Sequence, residues 1–257
     1  MGKVFLVGAG PGDPELLTVR AVRLLERAGV VLHDSLVSAS ILSLIPTGVE
    51  RIDVGKRCGK KWLSQDDINS LLVASAGKHE VVVRLKGGDP LLFGRAAEEM
   101  YALRTAKIEF EIVPGISAAF GAAAAAKISL TDRRLASHVL FTTFSRAPEA
   151  QLLPGIGLTP ETTVAVYMPG PDYTEVGRWL MESGFAGETP CVVVSKATQG
   201  EQTEERATLA GLERLSTLPA PALLLVGRVV SQTETGESVF TWLRETEGVA
   251  EVVGRVS

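Results

Sequence analysis

The 257-residue sequence predicts an α/β protein of two domains, the first with a mostly parallel sheet and the second with a mixed one. Three observations predict it. Apolar, β-branched runs alternate with helical patterns up to Val113, and strand–helix–strand order argues for a parallel sheet covered on both faces. Val113-Pro114-Gly115 then punctuates the chain, and composition shifts at once to the small residues of Ser117-Ala118-Ala119-Phe120-Gly121-Ala122. Beyond that point further strand-like runs have only some helices between them, which argues for mixed strand directions. The expected division is 1–114 and 115–257, with a tail from about 231.

In the first half, strands are expected at 3–8, 29–33, 49–54, 80–85 and 108–113. Asp13-Pro14-Glu15 opens the first helix, because Asp13 can cap, Pro14 suits the first helical position and Glu15 favours the positive dipole end. Leu17, Ala21, Leu24, Leu25 and Ala28 then share one face and Gly29 closes it. Two further helices are expected at 64–76 and 94–106. In the second half, strands are expected at 137–144, 162–167, 190–195, 204–209 and 222–227. A clear helix spans 172–183 and a weaker one lies near 239–244.

Composition narrows the class of function. Lys plus Arg number 26 against 30 Asp plus Glu, a net charge of −4, which argues against a general nucleic-acid binder. At 46% hydrophobic and 22% charged residues the chain is an ordinary globular protein, and intrinsic disorder is excluded. Two cysteines, Cys58 and Cys191, make no disulfide framework and have no metal-ligand spacing. His33, His79 and His138 stand far apart, so no metal site is expected. The apolar start is too short for a signal peptide, and the longest apolar stretch, 116–126, is too short for a membrane span. The expectation is a soluble cytoplasmic protein with neither nucleic-acid nor membrane partners.

Gly8-Ala9-Gly10-Pro11-Gly12-Asp13 lies between strand and helix, where a phosphate-cradling loop would sit, and Asp34 ends the second strand where a ribose-binding carboxylate would be expected. A nicotinamide-binding oxidoreductase is therefore one reading. The fingerprint fails in detail: the sixth position is Asp13 rather than Gly, and Pro11 removes an N–H. A tight glycine turn explains the segment equally well.

At the scale of the chain, Val7-Gly8-Ala9-Gly10-Pro11-Gly12-Asp13-Pro14-Glu15-Leu16-Leu17-Thr18 resembles the opening signature of the tetrapyrrole methyltransferases. Four further blocks agree in order: Val54-Gly55-Lys56-Arg57; Val83-Arg84-Leu85-Lys86-Gly87-Gly88-Asp89-Pro90 with Phe93-Gly94-Arg95; Val113-Pro114-Gly115-Ile116; and Pro221-Ala222 onward to Val230. The resemblance covers about residues 3–230, and the combination is specific where any single block would be weak.

The resemblance implies two α/β domains with an active-site cleft between them and a homodimer. It also implies methyl transfer from S-adenosylmethionine, with S-adenosylhomocysteine as product. The nearest substrate it suggests is uroporphyrinogen III, methylated on two carbons to precorrin-2, at the branch to sirohaem and cobalamin; a later precorrin is the alternative. Cofactor contacts carried over by motif are Pro11, Gly87, Gly88, Asp89, Leu92, Ser117, Ala118, Met168 and Ala197. These positions have physical sense: Gly87 and Gly88 have no side chain to block a ligand, Asp89 can balance a sulfonium or ammonium, and Ser117 begins a helix.

The resemblance also places a proton acceptor at Asp34 and a proton donor at Lys56, both following strands at one sheet edge. A helix cap for 37–44 is the other reading of Asp34. Lys56, Arg57, Lys60 and Lys61 form a basic cluster suited to a substrate with eight carboxylates, or simply a solvated loop. Arg84, Lys86 and Arg95 extend that rim as candidate substrate contacts, although Arg84 can instead pair with Glu98 or Glu99.

Several blocks depart from the family's pattern. Lys196-Ala197-Thr198 stands for Asn-Gly-Thr, Thr131-Asp132-Arg133 for Thr-His-Arg, and Thr143-Phe144-Ser145 for Thr-Gly-His. Lys60-Lys61-Trp62-Leu63-Ser64 replaces a segment that usually includes His and Pro. The departures bear on the tetrapyrrole more than on the cofactor. The chain length leaves no room for an additional dehydrogenase and chelatase domain, so a methylase alone is expected.

Overall fold

A computed structural model describes residues 1–55, 63–144 and 158–231. The chain divides into two compact units. Met1–Ala122 with Ser195–Thr203 and Pro219–Ala222 make the first, and described residues from Ala123–Val194, Glu204–Leu218 and Leu223 onward make the second.

In the first unit the order is β1 (Lys3–Gly8), α1 (Val19–Arg27), β2 (Val30–His33), α2 (Ala39–Leu42), β3 (Glu50–Asp53), α3 (Gln65–Ala76), β4 (Val81–Lys86), α4 (Ala96–Thr105) and β5 (Phe110–Val113). The strands form one sheet in the order β3-β2-β4-β1-β5, and every neighbouring pair is parallel. All five carboxyl ends therefore emerge along the same edge. Alternation along the strands sends side chains to two cores. Phe5, Val7, Val31, Val83, Leu85 and Val113 pack with Ala21, Leu24 and Leu25 of α1. Val4, Leu6, Val30, Leu32 and Val82 pack with Ile68 and Leu72 of α3 and Ala96 and Leu103 of α4.

After α5 (Ala118–Ala125), the second sheet draws on β6 (His138–Thr143), β7 (Thr162–Tyr167), β8 (Pro190–Ser195), β9 (Thr203–Thr208) and β10 (Ala222–Val226), with α6 (Tyr173–Glu182) between β7 and β8. Its order is β6-β7-β10-β8-β9. β6 and β7 are parallel, whereas β10 runs antiparallel to β7, so the sheet is mixed. The expected fold class, an all-parallel first sheet and a mixed second one, is thus the observed one.

Local chemistry explains the boundaries. Ser64 caps α3 through a reciprocal pair: its Oγ accepts from the Asp67 N–H while the Asp67 carboxylate accepts from the Ser64 N–H. Asp172 caps α6 by accepting from the Thr174 N–H at 2.8 Å. The first helix differs from expectation. Asp13 accepts from the Glu15 N–H, but it caps only a single 3-10 turn over Pro14–Leu16. Leu17 is extended, and α1 starts afresh with Thr18 as its cap, accepting from the Ala21 N–H at 3.1 Å. Two cap signals within six residues made two short elements where one helix was expected. The expected helix near 239–244 lies outside the described residues.

Among the described residues no helix is long and apolar enough to cross a membrane, and no cluster of three His, Cys, Asp or Glu side chains suits a metal ion.

Candidate active site

The carboxyl edge of the first sheet gathers loops 8–12, 33–38, 54–55, 87–95 and 113–117. Their backbones are in close contact. Gly10 and Gly88 exchange N–H···O=C bonds of 3.1 and 2.8 Å, and the Ala9 N–H donates to Lys86 O. A Cβ on Gly8 would stand 2.6 Å from the Gly115 Cα, so these two glycines allow the β1 and β5 loops to touch. Gly88 has φ +67°, and a Cβ there would lie 3.5 Å from the Ala118 amide nitrogen, in the space at the start of α5. Asp89 ties these loops together: its Oδ1 accepts from the Leu91 N–H at 2.8 Å and its Oδ2 from the Gly115 N–H at 3.0 Å.

The segment Ser195–Thr203 belongs to the first unit and closes over the first glycine loop. The Asp13 N–H donates to Thr198 Oγ1 at 3.2 Å, and Gln199 Nε2 donates to Pro11 O. Ser38 Oγ donates to Gly12 O at 2.7 Å. Thus the N–H groups of Ala9, Gly10 and Asp13 already serve protein acceptors, and Pro11 has none. These four positions leave no N–H for a pyrophosphate cradle. Sequence reasoning missed Thr198 and Gln199 as its partners, because a contact 185 residues away leaves no local signal.

Of the cofactor residues expected from motif, the structure brings Pro11, Gly87, Gly88, Asp89, Leu92, Ser117, Ala118 and Ala197 into the first unit. Ser117 is buried, and its carbonyl accepts from the Phe120 and Gly121 N–H groups as α5 begins. Ala197 lies in the turn after β8. Met168 lies in the second unit, just after β7, half-exposed and with φ +48°. Lys56, Arg57, Lys60 and Lys61 lie outside the described residues, as does Ser145.

Asp34 follows β2 at the same edge, with its side chain 25% exposed. It is not a helix cap: Ser38 caps α2, accepting from the Ile41 N–H. The Asp34 carboxylate pairs instead with the Arg84 Nη2. Arg84 is 2% exposed and Lys86 equally buried, so neither belongs to an exposed basic rim. Both point into the second core, where Arg84 Nε and Lys86 Nζ each donate to Glu99 Oε1 at 2.9 Å. The reason is Glu99 itself, fully buried on the inner face of α4, which needs cations. Of the two partners foreseen for Arg84, Glu99 is the one it takes; Glu98 goes to the exposed Arg95. Burial lowers the Arg84 guanidinium's affinity for its proton, but Asp34 and Glu99 outweigh it, and its pKa rises above the ordinary value. Burial, then the neighbouring Arg84, holds Lys86 below the usual lysine range.

In open α/β sheets ligands bind outside the carboxyl ends of the strands, the edge at which these glycine loops and Asp34 lie. Comparison with known proteins gives the edge its family. The model of the Tetrapyrrole (Corrin/Porphyrin) Methylases matches residues 3–213.

The chain belongs to the tetrapyrrole methylases.

A curated tetrapyrrole methylase, the uroporphyrinogen-III C-methyltransferase of Paracoccus denitrificans, is 46% identical over 240 residues, covering 91% of this chain and 83% of that protein. Siroheme synthase 1 of Pectobacterium atrosepticum is 45% identical over 89% of this chain, and the chain spans 48% of its length. Among solved structures, the uroporphyrin-III C-methyltransferase of Thermus thermophilus complexed with S-adenosylhomocysteine superposes with a TM-score of 0.78 at 35% identity, over 89% of this chain and 99% of that one. A cobalt precorrin-4 methyltransferase follows at TM-score 0.72 and 30% identity, over 89% of this chain and 95% of that one.

Proposed function

We propose that this tetrapyrrole methylase transfers methyl groups from S-adenosylmethionine to two carbons of uroporphyrinogen III, giving precorrin-2 for sirohaem and cobalamin synthesis, and that it works as a cytoplasmic homodimer. The observation that carries the reading is the 46% identity to a uroporphyrinogen-III C-methyltransferase over most of both chains. The carboxyl edge of the first sheet supports it. S-adenosylmethionine, when bound, supplies an electrophilic methyl on a sulfonium. The residues that would hold it are the side-chain-free Gly87-Gly88 turn, with the space that a Cβ on Gly88 would fill beside Ala118, together with Pro11, Asp89, Leu92, Ser117 and Ala197.

Methyl transfer needs in-line approach and exclusion of water more than acid–base help. A pyrrole carbon of the substrate forms the new C–C bond as the S–CH3 bond breaks. The methylated macrocycle then sheds a proton, and Asp34 accepts it. Arg84 holds that carboxylate at the sheet edge through its Nη2. Lys56 acts as proton donor, and Arg57, Lys60 and Lys61 bind the substrate carboxylates. Arg84, buried behind Asp34, acts on the carboxylate and not on the substrate.

Incubation with isotopically labelled S-adenosylmethionine and a panel of tetrapyrroles tests the reading. Two labelled methyls per uroporphyrinogen III are expected. Transfer only to a later precorrin would move the substrate along the pathway, and no transfer to any member of the panel would overturn the activity.

A further inference from the structure

We infer that Glu99, with Lys86, is a positioning residue for Asp34 and acts on it through the Arg84 guanidinium. The inference rests on the reading of Asp34 as proton acceptor. Glu99 occupies a place where the fold asks for an apolar side chain: Ala96, Glu99 and Leu103 form the buried stripe of α4. An ionised carboxylate there loses its hydration, and an apolar residue of the same volume would pack without that cost. The acid is nonetheless fully buried, and its Oε2 has no hydrogen-bond partner among the described residues. Only Oε1 is used, and it receives both cations.

The geometry shows what that carboxylate does. Arg84 is a planar fork. Its Nε edge is fixed by Glu99, its Nη1 donates to the Leu85 carbonyl at 3.3 Å, and its Nη2 faces Asp34. With the first two contacts in place, the third donor can point in only one direction. Glu99 thus sets where Arg84 presents its charge, and Arg84 sets where the Asp34 carboxylate stands. Lys86 balances the account: two cations, Arg84 and Lys86, stand against two anions, Glu99 and Asp34. Among the described residues, the titratable groups beside Asp34 also include His33, whose Nδ1 lies 3.3 Å from the Asp34 carbonyl oxygen, and Asp53, in register with His33 on β3.

Neutralising Glu99 leaves Asp34 facing two cations, and neutralising Lys86 leaves it sharing one. Glu99→Gln and Lys86→Met therefore act on Asp34 with opposite sign, although neither residue touches it. In Glu99→Gln the acid limb of the pH dependence of kcat should move down by roughly half a pH unit, and in Lys86→Met up by a similar amount. At neutral pH, Glu99→Gln should lower kcat roughly tenfold through lost orientation, with the Kd for S-adenosylhomocysteine unchanged. Melting curves and circular dichroism establish that each variant folds. If Glu99→Gln does not fold, the direction of the Lys86→Met shift decides alone. Two folded variants with the wild-type profile, or with limbs displaced in the same direction, would show the cluster to be structural and overturn the inference. Wild-type transfer by Asp34→Asn is a different result, overturning the proton-acceptor reading on which the inference stands.

Discussion

The two faces of the first sheet come from alternate residues of the same strands, yet they are built to different rules. On the face covered by α1, Val83 and Leu85 of β4 pack into an apolar cluster. On the face covered by α3 and α4, the next positions of that strand are Arg84 and Lys86, joined to Glu99. Burying an apolar side chain stabilises a fold by about 1.5–3 kcal/mol, whereas a buried ion pair contributes little net stability. The first face serves folding. The second accepts a poorer core, and among the described residues it reaches the sheet edge through the Arg84–Asp34 pair. The difference is what the proposed role of the polar cluster, positioning the carboxylate at its end, accounts for.

The comparison can be broken by replacing residues on each face. The largest effect is expected from Arg84→Ala, which leaves Glu99 buried with Lys86 alone; unfolding in urea should show a loss of about 4 kcal/mol together with the loss of methyl transfer. A sharper version replaces the cluster whole, as Arg84→Met, Lys86→Met and Glu99→Leu together. Stability should then return to within about 2 kcal/mol of wild type or exceed it, while transfer stays lost. On the opposite face, Leu25→Ala should cost about 3 kcal/mol through its cavity, with kcat of the folded protein at the wild-type level. Away from both cores, Ser64→Ala removes one half of a reciprocal cap and should cost about 1 kcal/mol by the same measurement.

The smallest effect extends the contrast to the second sheet. Burial pushes the Cys191 thiol on β8 up to about 12 from an ordinary 9.0. The folded chain therefore keeps a proton that the unfolded chain loses. The stability this contributes is whole below pH 9 and is lost as pH rises from there toward 12. Between pH 7 and 9, wild type should lose about 0.4 kcal/mol relative to Cys191→Ala.

Much of this architecture is legible in the sequence. β1, β7 and β8 fall where their β-branched runs begin and end, because a strand buried on both faces has no competing pattern. The helices expected at 64–76 and 172–183 are found at Gln65–Ala76 and Tyr173–Glu182. The interior placement of Arg84 and Lys86 was not legible. A charged residue in an alternating run reads as solvent-facing, and only the arrival of Glu99 from α4, 15 residues along, reverses that reading. The lone helix expected after Asp13 failed because Thr18 is as good a cap as Asp13 and lies closer to the apolar stripe. At the site, the glycines and Asp34 announce themselves by motif, whereas Thr198 and Gln199 reach the first loop through tertiary structure alone.

The central claim is that the carboxylate at the outlet of the polar face receives the proton released on methylation. It is tested most directly by single-turnover methyl transfer to uroporphyrinogen III in wild type and Asp34→Asn, alongside the Kd for S-adenosylhomocysteine. A fall of about 10²- to 10⁴-fold in the transfer rate, with ligand affinity within twofold, is the predicted result. Transfer at the wild-type rate by a folded Asp34→Asn protein would contradict it.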